Sequence, residues 1–149
     1  MTVIPERLAK LDDLTLDEGG HKDFNDGHCA MEVVSWLAGE GFTDAPACAS
    51  PVLRRYTIAL NDRWDNEKRQ LLTPYLPRMV GTGNDGKDAL REQVAARFLA
   101  DRRAAYDAAR AYYREHPLPI SQQITDLAAQ QVPIALELLD ALIDPPEAA

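Results

Sequence analysis

From Asp88 to Glu115 the chain runs without a glycine or a proline, and this stretch constrains the fold more than any other. Alanine and arginine dominate it, and both are strong helix formers. Leu90, Val94, Phe98, Ala105, Ala109 and the Tyr112-Tyr113 pair fall on one stripe at helical spacing. Glu115-His116-Pro117 ends the stretch, because a residue before proline is pushed out of helical geometry. A stripe of that length needs other elements to cover it.

The rest of the chain offers helices as those elements. Pro5 can open a short helix over residues 5–11. Residues 12–27 read as loop, being rich in Asp, Gly and Asn that compete with regular structure. A helix is expected from about Gly27 to Ala38, carrying Met31, Val34 and Leu37, with Gly39 as its stop. Residues 40–50 form a second loop. Ser50-Pro51 then supplies an N-cap followed by proline in the first turn. Val52, Tyr56, Leu60 and Trp64 line one face of the helix after it. Asp65 or Asn66 caps a shorter helix through Leu72, and Pro74 and Pro77 interrupt the residues beyond it. Gly81 to Gly86 is a turn-rich connection. Ser121 caps a helix bearing Ile124, Leu127 and Ala128, which Pro133 either kinks or divides from one carrying Leu136, Leu139 and Leu142. No stretch alternates with the two-residue period of a strand. The expected fold is all-α: one domain over 1–149, a compact bundle of about five or six helices with long N-terminal loops and a flexible tail at 144–149.

Charge narrows the function classes. The net charge is −8. Residues 1–50 set ten acids against Arg7, Lys10 and Lys22, whereas residues 51–80 set six bases against three acids. An acidic balance works against attraction to nucleic-acid phosphates. DNA-binding regulation through the basic middle is therefore the weakest functional class. Arg102, Arg103, Arg110 and Arg114 are interleaved with Asp101, Asp107 and Glu115, as on a solvated, salt-bridged face. No apolar run reaches the length of a membrane span. Proline and mixed charge at residues 1–7 do not make a secretory signal. A cytoplasmic location without a membrane partner is the expectation. On that reading the two cysteines, Cys29 and Cys48, are not a disulfide framework.

The chemistry-bearing residues gather between positions 19 and 63. They read Gly19-Gly20-His21, Cys29-Ala30-Met31-Glu32, Ala38-Gly39-Glu40, Thr43-Asp44, Pro46, Cys48, Pro51-Val52 and Asn61-Asp62-Arg63, with Val80-Gly81-Thr82 further on. This combination resembles a family of uncharacterised proteins from actinobacteria and their bacteriophages, over roughly the first half of the chain. The resemblance implies no activity. The chain departs from it at Ser50, where that family often carries cysteine, and this weakens any metal reading built on a Cys-x-Cys pair.

Read from the residues themselves, Cys29 and Glu32 share a helix face at three-residue spacing. With His21 and Cys48 they could supply the four ligands of a zinc ion, which could then support hydrolytic chemistry. The spacing matches no standard zinc motif. The simpler reading makes both cysteines small buried hydrophobes, with Glu32 bonding loop amides. A nucleophilic reading needs Cys29 lowered in pKa at the helix N-terminus, with His21 a better base than the adjacent His28. Asp44, Asn61, Asp62 and Arg63 are candidates for a polar binding face, with a helix cap as the simpler role for 61–63. The Gly81–Gly86 loop lacks the phosphate-loop pattern, since Lys87 is succeeded by Asp88 and not by a hydroxyl residue. No resident cofactor is expected. With no convincing catalytic motif, the expected function is non-enzymatic: a small acidic helical protein that binds another protein, with a metal-binding domain as the alternative.

Overall fold

The computed structural model describes residues 2–117 and 120–147, the side chains of Tyr106, Tyr113 and 120–130 excepted. In chain order its α-helices are α1 (Pro5–Leu8), α2 (Ala30–Ala38), α3 (Pro51–Arg63), α4 (Asn66–Arg69), α5 (Leu76–Met79), α6 (Asp88–Glu115) and α7 (Ile120–Ile143). No described residue lies in a strand, so the protein is all-α. Three of the seven are single turns; α2, α3, α6 and α7 carry the architecture. The 28 residues of α6 span about 42 Å at the usual helical rise.

Local chemistry sets most of the helix ends. Ser50 accepts from Val52 N at 3.2 Å through its hydroxyl, and Pro51 opens α3 where a missing N–H does no harm. Gly39 closes α2 at φ +74°, in the left-handed region, while the N–H groups of Gly39 and Glu40 return to Trp36 O and Ser35 O. At its other end α2 begins at Ala30, three residues later than the Gly27 start the sequence pattern predicts. Gly27 sits at φ +129° and Cys29 is the extended N-cap. Pro133 lies inside one continuous α7 and does not divide it. The expected Ser121 cap and the stripe Ile124, Leu127 and Ala128 lie outside the described side chains.

The core forms around α2, whose residues Ala30 to Ser35 and Leu37 are all buried. Helices α1, α3 and α5 pack on it, and α3, α6 and α7 pack on one another. Leu53, Leu72, Leu76 and Leu139 are fully covered, each contributing roughly 1.5–3 kcal/mol by burial. Arg91 joins the end of the chain to the start of α6. Its guanidinium, 0% exposed, donates to Leu142 O at 2.7 Å and Ile143 O at 3.2 Å, and pairs with Asp85 at 2.5 Å and Asp88 at 3.1 Å. The tail continues this attachment: Asp144 pairs with Lys87 at 3.4 Å and Pro145 is buried. The 81–86 turn lies against residues 47–49, with Gly81 N and Gly83 N both donating to Cys48 O at 2.9 Å. A Cβ at Gly83 would fall 2.1 Å from Ala47 O, so only glycine fits there. Among the described residues no helix is long and apolar enough to cross a membrane.

Candidate functional site

The first helical turn of α2 leaves N–H groups without partners inside the helix, and the loop before it brings more main chain into the same buried region. Glu32, at the third helical position and 2% exposed, meets two of these main-chain donors and one side-chain nitrogen. Its Oε1 accepts from Cys29 N at 2.8 Å and from His21 Nδ1 at 2.9 Å, and its Oε2 accepts from His21 N at 3.0 Å. Burial pushes the carboxyl up, but the bonds from Cys29 and His21 outweigh it and hold the group below the usual glutamate range. An ionised carboxylate only accepts, so Nδ1 of His21 is the donor in this bond. His21 and Glu32 thus form a carboxylate–imidazole pair that pins residues 19–28 onto α2.

Asn61 is the second clamp. It is 1% exposed, accepts from Ala30 N at 3.0 Å and donates to Asp17 O at 3.0 Å. Asp62 accepts from Gly19 N at 3.0 Å and from Asn61 Nδ2 at 3.1 Å. Arg63 is exposed. Asp44 holds Arg54 through its carbonyl at 3.0 Å and its carboxylate at 3.8 Å. Of the four binding-face candidates, Asn61 and Asp62 therefore tie down the loop. Two further clamps carry no signal in the sequence pattern. Gln70 exchanges bonds with Leu16 N and O at 2.8 and 3.0 Å, and Arg69, 3% exposed, donates to Asn61 O and Trp64 O.

The four proposed metal ligands do not share one cluster of bonds. His21, Cys29 and Glu32 come together, whereas Cys48 bonds Glu40 through its N–H at 3.2 Å. Among the described residues no three or more His, Cys, Asp or Glu side chains are arranged to hold a metal ion. Both cysteines are free and buried. The lowered pKa that a Cys29 nucleophile needs is not found. Burial, reinforced by the Glu32 charge, pushes Cys29 up to about 12. Burial and Glu40 do the same to Cys48, also to about 12. The His28 ring stacks on Phe24 with centroids 4.5 Å apart, and its Nδ1 bonds Phe24 O at 3.3 Å.

A separate surface feature has no counterpart among the residues the sequence singles out. Residues 71–78 and the second half of α7 flank an open groove of about 620 Å³, lined by Leu71, Pro74, Tyr75, Pro133 and Leu136 together with the charged Arg78, Glu137 and Asp140. That volume lies in the range of small-ligand and peptide-side-chain sites. Leu71 is 44% exposed. Arg78 pairs with Asp140 at 2.7 Å and sits over the Tyr75 ring, while Glu137 has no ion-pair partner among the described residues. Comparison with known proteins adds no relative: no family model, no curated protein and no solved structure matches the chain.

Proposed function

We propose that the chain is a non-enzymatic helical protein that works by binding another protein, and that it does so in the groove between residues 71–78 and α7. One observation carries this reading: a groove of mixed apolar and charged lining that holds the exposed Leu71 together with the unpaired carboxylate of Glu137. Apolar contacts would supply affinity, and the carboxylate would select a segment that carries a cation beside its apolar residue. The His21–Glu32 pair is assigned the structural role of holding the N-terminal loop closed.

The test is fluorescence anisotropy with a labelled amphipathic peptide of leucine, alanine and arginine. Saturable binding in the micromolar range is expected, with Leu71→Asp weakening it at least tenfold, or about 1.4 kcal/mol. Leu71 is exposed, so this substitution leaves the fold intact. Equal affinity for the variant, or no binding when peptide is raised to about 1 mM over protein dilute enough to be monomeric, overturns the proposal.

A further inference from the structure

The segment that the groove calls for is present on the chain itself. Leu99, near the middle of α6, is 69% exposed, more than any other large apolar residue described. Arg103 lies four residues on and therefore shares its face. It is exposed and has no ion-pair partner among the described residues. Leu99 with Arg103 sets an exposed leucine beside a free cation; the groove sets Leu71 and Leu136 beside the free carboxylate of Glu137, while its other two charges, Arg78 and Asp140, pair with each other. We infer that the groove is filled by a second copy of this chain, with Leu99 seated against Leu71 and Leu136 and Arg103 meeting Glu137. In a closed pair each contact occurs twice, because a two-fold interface is self-complementary. Covering both leucines and both grooves in one step is what makes the second copy a better occupant than a foreign segment. The inference rests on the groove being the docking surface.

Sedimentation equilibrium from about 1 µM to about 1 mM tests it. The expected result is a shift from the 16.5 kDa monomer to twice that mass. Leu99→Asp and Leu71→Asp should each weaken pairing at least tenfold, with circular dichroism unchanged. Arg103→Glu should weaken it, and Glu137→Arg added to the same chain should restore it, since the swapped charges meet again across the interface. A monomer throughout the range, an open series of larger species, or pairing indifferent to Leu99→Asp and to the charge swap overturns the inference. If the chain stays monomeric while Leu71→Asp still loses the amphipathic peptide, the second copy is excluded and the groove stands.

Discussion

Glu32 grips His21 twice, accepting from its imidazole Nδ1 at 2.9 Å and from its main-chain N–H at 3.0 Å. Together with the bond from Cys29 N at 2.8 Å, one buried carboxylate fixes both the entry to α2 and the loop that covers it. Glu32→Gln keeps the volume but offers one acceptor oxygen and no charge. Hydrogen bonds to a charged group contribute about 1.5–3 kcal/mol each. The substitution should therefore lower stability in urea by about 2 kcal/mol or more. Hydrogen exchange should accelerate at residues 19–28 before the core. A loss below about 0.5 kcal/mol would show that the pair does not hold the loop.

The same carboxylate gives the stability an acid limb. Glu32 and Asp85 are both held below their ordinary values of 4.5 and 3.8 when folded, Asp85 chiefly by its bond from Arg91. A carboxyl lowered in the folded state contributes stability that is present above the unfolded pKa. That contribution is lost as pH falls through the folded one. Urea midpoints should thus be level between about pH 5.5 and about pH 8 and drop below that through the carboxylate range. Glu32→Gln and Asp85→Asn should each flatten that drop. An unchanged slope in both variants would remove these two residues as its cause.

How much of the fold is legible in the sequence depends on the range of each interaction. The 88–115 helix, the Ser50-Pro51 start and the Gly39 stop are local, and each is visible in a few neighbouring residues. The start of α2 is hidden because Cys29 is an unusual N-cap; Glu32 three residues on is the available signal. The pairing of His21 with Glu32 depends on how an irregular loop closes, which no periodicity encodes. Arg91 and Arg69 look like solvated arginines in the sequence, yet both are buried. For Arg91 the acids at 85 and 88 are a local hint; for Arg69 the carbonyl partners leave no trace in composition. The groove joins residues 71–78 to 133–140 through tertiary packing alone.

Thiol reactivity separates the buried-cysteine reading from a reactive one. With both thiols raised to about 12 and covered, almost no thiolate is present near neutrality. A colorimetric disulfide reagent at pH 8 should leave the native protein unlabelled over minutes and titrate both cysteines once urea unfolds it. Immediate labelling of Cys29 in the native protein would restore it as a candidate nucleophile.

Arg91 should be the most sensitive single position outside the apolar core. It is 0% exposed, pairs with Asp85 and Asp88, and donates to the carbonyls of Leu142 and Ile143 that end α7. Removing it leaves two carboxylates without their cation and two buried carbonyls without a donor. Asp85 and Asp88 are 24% and 46% exposed, so water reaches them, and the loss comes mainly from the two orphaned carbonyls, about 2–4 kcal/mol together. Arg91→Ala should fall in that range by urea denaturation, and exchange at residues 138–144 should rise most. Arg91→Lys keeps the charge but cannot span four acceptors with a planar fork, so it should recover only part of the loss. Full recovery by lysine would mean that charge alone, and not the reach to the end of α7, is what this residue provides.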